Sequence, residues 1–306
     1  MARKLRVQYE GAIYHVMNRG DRREDIFEND SDRELFLKTL GEACAKTAWQ
    51  IHAYCLMHNH FHLVVETPRA NLVAGMKWLL GTYTARFNRR HQSFGHLFSG
   101  RYKALMVDGS GSGYLRTVCD YVHLNPARAR LLKPSHQLSD YPWSSYPAYL
   151  RAHGARPSWL RVDRVLGEAG IPKDSPAGRR EFARRMEVRR WEDDDELWKK
   201  IRRGWALGSE EFRDELLQAM EQRSSDYIAG DEIRESEEQK AERIIKGQMR
   251  LLGWTNQDLQ RLRKGDKQKV KIAKLLRQQT TMTLKWIAGR LHMGTWTHVA
   301  NRIYHT

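Results

Sequence analysis

The order in which strand-like and helix-like segments follow one another over the first 125 residues limits the folds open to this chain more than any other feature. Residues 12–17, Ala-Ile-Tyr-His-Val-Met, read as a strand that ends at the turn-prone Asn18-Arg19-Gly20-Asp21. Residues 31–47 follow with helical spacing at Leu35, Leu37, Leu40 and Cys44, and 50–57 and 60–67 are β-rich segments separated by His58-Asn59, which predicts a hairpin. A second helix fits 72–90, a fourth strand 102–107 and a last helix 114–124, with Pro126 expected to stop it because proline has no N–H to give the helix. The order βαββαβ followed by a helix is the ferredoxin-like pattern, an α+β fold.

Charge divides the rest of the chain. The 306 residues carry 53 Lys and Arg against 37 Asp and Glu, a net charge of +16, so a polyanionic partner is the first expectation, with acidic substrates and anionic membranes also compatible with charge alone. Residues 1–150 hold 20 basic and 13 acidic side chains, 151–238 hold 18 and 21 with an acidic run at 192–196, and 239–279 hold 12 and 3. Three compartments are expected: a first unit at 1–150, a charged and partly helical connector at 151–238 marked by Pro157, Gly167, Gly170, Pro172, Pro176 and Gly178, and a basic helical region at 239–306. In the last, Ile244, Ile245, Met249, Leu251 and Leu252 are expected to form one apolar face.

Several classes drop out. No apolar run approaches the roughly 18–20 residues that span a bilayer, and the opening MARKLRVQYEG lacks a signal peptide's apolar stretch, so a cytoplasmic protein is expected. Cys44, Cys55 and Cys119 form no CxxC pair, which argues against a disulfide framework or a cysteine zinc site. There is no GxxxxGK[ST] phosphate loop.

Two constellations could carry chemistry. In His58-Asn59-His60-Phe61-His62, period-two alternation puts the imidazoles of His60 and His62 on one face and Phe61 on the other, half of a divalent-metal site. An isolated His-x-His more often only hydrogen-bonds at a sheet surface. The letters His58-Asn59-His60 do not indicate an HNH nuclease, whose three residues lie far apart in sequence. The second constellation is Cys119-Asp120-Tyr121-Val122-His123-Leu124-Asn125-Pro126, where Tyr121 and Asn125, four apart, share a helix face and pair a phenol oxygen with a neutral oxygen ligand. With 12 tyrosines in the chain, most must be structural.

His60-Phe61-His62 followed by Tyr121 in Tyr-Val-His-Leu-Asn-Pro resembles the HUH single-strand transposases with one catalytic tyrosine, specifically the REP-associated tyrosine transposases. Asn18-Arg19-Gly20, Asp25-Ile26-Phe27, Gly100-Arg101-Tyr102-Lys103 and Trp143-Ser144-Ser145-Tyr146 extend the resemblance over roughly the first half of the chain. It implies His60 and His62 as metal ligands, Asn125 as a third, and Tyr121 as a nucleophile that forms a 5′-phosphotyrosine with a free 3′-hydroxyl. Members of the family often carry proline where this chain has His58, which leaves His58 as a competitor of Asn125 for the metal.

A phenol with a pKa near 10 is about one part in a thousand ionised at pH 7, so the attack needs a divalent cation, and a mixed nitrogen and oxygen donor set suits Mg²⁺ or Mn²⁺. Arg19, Arg22, Arg23, Arg101, Tyr102 and Lys103 are candidate contacts to single-stranded or hairpin DNA. Residues 283–291, a turn at His292-Met293-Gly294 and a second helix capped by Thr295 resemble the helix-turn-helix of bacterial replication initiators, with Thr295, Thr297, His298 and Asn301 facing a groove. The reading is a metal-dependent transposase or nickase of hairpin-bearing, REP-like DNA. The alternatives are a non-catalytic DNA-binding regulator on the same scaffold and a replication or conjugation nickase of the wider HUH group. A homodimer that donates the tyrosine in trans is compatible with the sequence.

Overall fold

The computed structural model describes residues 7–192, 195–225 and 229–304. Asp193 and Asp194 of the acidic run and the first six residues of the chain lie outside that range. The elements are β1 (Ala12–Arg19), α1 (Asp30–Thr47), β2 (Gln50–Leu56), β3 (His60–Thr67), α2 (Leu72–Arg90), β4 (Lys103–Val107) and α3 (Tyr114–Arg128), then α4 (Tyr146–Tyr149), α5 (Asp163–Glu168), α6 (Pro176–Arg189), α7 (Asp195–Arg203), β5 (Ala206–Leu207) and α8 (Glu210–Ser225). The last part is helical: α9 (Ala229–Leu252), α10 (Asn256–Arg261), α11 (Lys267–Gln279), α12 (Leu284–Arg290) and α13 (Trp296–Tyr304).

The strands form one sheet in the order β2-β3-β1-β4-β5. The first four pair antiparallel in the order a ferredoxin-like βαββαβ unit requires, as the sequence pattern predicts. Strand β5 adds a parallel edge to β4 through Met106 opposite Ala206 and Val107 opposite Leu207. Two residues carry no alternation signal, so this strand was not legible in the sequence.

Odd positions of β3 pack under the first two helices. Phe36 of α1 meets Phe61 at a ring-centroid distance of 4.9 Å and Tyr83 of α2 at 5.0 Å. At the end of β1 the chain turns at Gly20, where a Cβ would stand 2.0 Å from the Glu24 carbonyl oxygen, so only glycine fits. That turn is tied to the β2–β3 hairpin by Gly20 N–H donating to the Asn59 carbonyl at 2.8 Å.

Pro126 does not stop the last helix of the unit, and α3 runs on to Arg128. The missing N–H falls one turn from the end, where it deprives only the Val122 carbonyl. The Asn125 side chain donates to the Tyr121 carbonyl at 3.0 Å and the Ala129 N–H to the Asn125 carbonyl at 2.8 Å, so the final turn closes around the proline.

The apolar core of this part extends from Val7 to Leu216, and the segment expected as a connector supplies Leu160, Val165, Phe182, Met186 and Trp198 to it. A second core joins Ala241, Ile245, Met249, Ile272, Leu276, Ile287, Leu291 and Val299. Leu251 is not on the apolar face expected for it: it is 80 % exposed, because it lies two residues from Met249 and so on the far side of α9. The tail is fastened to the sheet domain by Lys46 at the end of α1. Its buried Nζ donates to the Arg277 and Gln278 carbonyls at the C-terminus of α11 and stands 4.9 Å from the Trp78 ring. No helix among the described residues is long and apolar enough to cross a membrane.

Candidate active site

Strand register decides which side chains meet. Arg19 lies opposite His60, Met17 opposite His62 and Lys103, and His15 opposite Val64. Paired residues share a face and alternate ones return to it. His15, Met17, Arg19, His60, His62 and Lys103 therefore stand on the face turned away from α1 and α2 and towards α3.

His62 is 2 % exposed, and its Nδ1 lies 2.9 Å from Nε2 of His15, with the two rings end to end, their centroids 5.1 Å apart and their planes within 13° of each other. The half-buried His60 presents its ring edge to His62 at 5.2 Å. Hydrogen bonding fixes the His60 tautomer. Asn59 Nδ2 donates to the Arg23 carbonyl at 3.1 Å, so Asn59 Oδ1 faces His60 Nδ1 at 2.8 Å and can only accept; His60 Nδ1 carries the proton and Nε2 a free lone pair.

Burial is the main cause that holds all three imidazoles below their ordinary pKa. It brings His15 down to about 4, His62 well down with help from His15, His60 and Arg128, and His60 down with help from Arg19 and His58. All are neutral near pH 7, the form that donates a lone pair to a cation.

Tyr121 lies over this pair within the same chain. Its ring stands edge-on 5.8 Å from His62 and 5.6 Å from His15, and the residue is 3 % exposed. Its cover comes from α7: Trp198 lies 5.4 Å from the Tyr121 ring, and the Arg128 guanidinium sits 5.0 Å from Tyr121 and 4.7 Å from Trp198. Burial raises the Tyr121 pKa, while Arg128 and Arg202 oppose the rise without cancelling it.

Asn125, one turn on, uses its Nδ2 to bond the Tyr121 carbonyl; among the described residues no hydrogen bond occupies its Oδ1. His58 is exposed, and its Nδ1 accepts from the Arg33 guanidinium at 3.3 Å. No cluster of three or more His, Cys, Asp or Glu side chains among the described residues could hold a metal ion. Any set built on His60 and His62 must draw its further ligands from another type, such as the Asn125 amide oxygen, from water or from substrate. The two imidazoles fit a divalent cation in one respect that is observed: the Nδ1 atoms are engaged on the protein side, and among the described residues no hydrogen bond occupies either Nε2.

Arg19, Arg22, Arg23, Arg101 and Lys103 are exposed. Tyr102 corrects an expectation: it is buried in the core and presents no face for a base to stack on, because its position at the start of β4 turns its ring into the protein. Thr295, Thr297 and Asn301 are exposed on α13 and its cap, whereas His298 is half-buried. The turn before α13 depends on Gly294 at φ 83°, and Thr295 Oγ1 caps the helix by accepting from the His298 N–H at 3.3 Å.

Three residues of this site escape a reading of the sequence. His15 belongs to a strand whose helix-facing and site-facing sides are told apart only by its register with β3. Arg128 lies beyond the proline at which the helix was expected to end, two turns after Tyr121 and therefore on its face. Trp198 arrives from a segment with no marked motif.

Residues 8–125 match the family model described as "Transposase IS200 like". No curated protein matches the chain significantly. A solved structure described as a REP-associated tyrosine transposase bound to a REP hairpin aligns at a TM-score of 0.41 and 17 % identity, over 54 % of this chain and 93 % of that one. The fold rests on the strand order given above and not on that likeness.

Proposed function

Residues 8–125 carry the IS200-like transposase pattern, and from that premise we propose that the chain is a metal-dependent enzyme that nicks and rejoins hairpin-bearing, REP-like single-stranded DNA through Tyr121. The observation that carries the proposal is the meeting of the Tyr121 ring with the imidazole of His62, 5.8 Å apart, inside one chain.

His60 and His62 would hold the cation through Nε2, with Asn125 Oδ1 as a third ligand. Mg²⁺ or Mn²⁺ there supplies stabilisation of the charge that builds on the scissile phosphate. The rest is the work of the chain. Tyr121 Oη attacks phosphorus, gives up its proton, and becomes a 5′-phosphotyrosine while a 3′-hydroxyl leaves; Arg128, lying against the phenol, favours the phenolate. Attack by another 3′-hydroxyl reverses the step, so the ester bond energy is conserved and no nucleotide triphosphate is consumed.

Arg19 and Lys103, on the same sheet face, and Arg22, Arg23 and Arg101 at its rim guide the phosphate backbone. The α12–α13 pair reads duplex DNA through Thr295, Thr297 and Asn301. The placement of phenol and imidazoles in one chain supports attack in cis.

The test is incubation with hairpin-flanked oligonucleotides and Mn²⁺. The expected result is a covalent protein–DNA adduct that Tyr121→Phe abolishes; an adduct that persists in that variant overturns the assignment. One observation favours a second reading, a regulator that binds DNA without cutting it: Tyr121 is sealed under Trp198 and Arg128. Absence of any adduct together with absence of Mn²⁺ binding dependent on His60 and His62 would establish that reading.

A further inference from the structure

His15 is a titratable side chain in contact with both His62 and Tyr121 that the reaction above does not use. Its Nε2 lies 2.9 Å from His62 Nδ1, both rings are buried, and two neutral imidazoles at that distance share a single proton. Either His15 Nε2–H donates and His62 carries its own proton on Nε2, or His62 Nδ1–H donates and its Nε2 is a bare lone pair. The two arrangements are opposite in consequence, because a protonated Nε2 cannot bind a cation.

The neighbouring ring shows how this fold resolves the same choice. Asn59 Oδ1 leaves His60 no tautomer but Nδ1–H. His15 stands to His62 as Asn59 stands to His60, each meeting Nδ1 from the protein side. The two rings lie end to end with 13° between their planes, and keeping this in-plane contact also limits rotation of His62 about its χ2 bond.

We infer that His15 is a positioning residue: it accepts the His62 Nδ1 proton through Nε2, which turns the His62 Nε2 lone pair outward to the cation and fixes the ring plane. The role rests on the cation site proposed above. A partner of this kind is worth about 10–100-fold in metal affinity where it has been removed in other proteins.

Two measurements on the full chain test it, neither of them turnover. Long-range ¹H–¹⁵N correlation spectra of the metal-free protein at pH 7.5 report the His62 tautomer, and calorimetry with Mn²⁺ alone reports affinity. The expected results are protonation of His62 at Nδ1, a loss of about 10–100-fold in Mn²⁺ affinity for His15→Ala, and partial recovery in His15→Gln, whose side-chain oxygen can accept the same proton. A His62 protonated at Nε2, or a His15→Ala protein that folds and binds Mn²⁺ as tightly as the parent, overturns the inference. His62→Ala separates the two levels: if it leaves Mn²⁺ binding untouched, the cation site itself fails and His15 with it. If it abolishes binding while His15→Ala does not, only the role of His15 fails.

Discussion

The sheet face and the tail solve opposite problems. On the sheet face His15, His60, His62, Tyr121, Arg128 and Trp198 come from four separate stretches of the chain and pack against one another, buried except for the half-buried His60 and the exposed Arg128. In the tail, everything proposed to touch DNA lies within α12, α13 and the turn between them, with its polar side exposed. Chemistry on a phosphodiester needs groups held in fixed positions and screened from water, whereas binding a duplex needs donors displayed on a rigid edge. The function proposed above therefore assigns cutting and holding to different regions of the chain, and each assignment can be tested without the other.

The largest effect is expected from His60→Ala combined with His62→Ala. Removing both imidazoles should lower hairpin cleavage on the order of 10³-fold or more, as expected where several kcal/mol of charge stabilisation is lost. Duplex binding, followed by fluorescence anisotropy, should stay as it was. A parallel fall in duplex affinity would mean that the two regions are one site. The converse change, Thr297→Ala with Asn301→Ala, should weaken binding to a cognate duplex by about 1–3 kcal/mol per lost base contact and leave cleavage of a short hairpin oligonucleotide unchanged.

Much of this contrast was legible in the sequence, and the part that was not has a physical cause. Contiguous patterns carried the strand order, the His60 and His62 face, Tyr121 with Asn125, and the two tail helices, because each depends on local periodicity. His15 required the pairing of strands 47 residues apart. Arg128 was hidden by the expectation that Pro126 stops the helix, although a proline two residues from a helix end leaves only one carbonyl, that of Val122, without its helical partner. Tyr102 misled for the reverse reason: an aromatic between Arg101 and Lys103 looks like a base-stacking residue, yet its ring closes the core.

A third test concerns the closed region alone. Asp120, next to Tyr121 on α3 but turned towards Arg116 and Arg189, is buried, and although these arginines act against the shift, burial raises its pKa to about 6. The native state then binds more protons than the unfolded one between about pH 6 and the ordinary carboxyl value of 3.8, so this group favours folding as pH falls through that window. Asp120→Asn removes the titration. The stability of the parent relative to the variant should rise by about 2 kcal/mol between pH 7.5 and pH 4.5, measured by urea unfolding. A constant difference would show that the arginines, and not burial, set the state of this carboxyl.

The smallest effect probes the cover. If Trp198 holds Tyr121 in a shielded state outnumbering the open one by about ten to one, Trp198→Ala should quicken adduct formation by up to about tenfold. An unchanged or slower rate in the folded variant would mean that α7 belongs to the assembled site and does not obstruct it.

Lys46 gives the two regions a fixed relation. By gripping the carboxyl end of α11 it anchors the tail to the back of the sheet, on the side remote from the imidazoles. If the tail holds duplex and the sheet face a phosphate, as proposed above, a protein fastened in this way acts as a caliper: the spacing between recognition and incision becomes a property of the protein and is not left to slack in a linker.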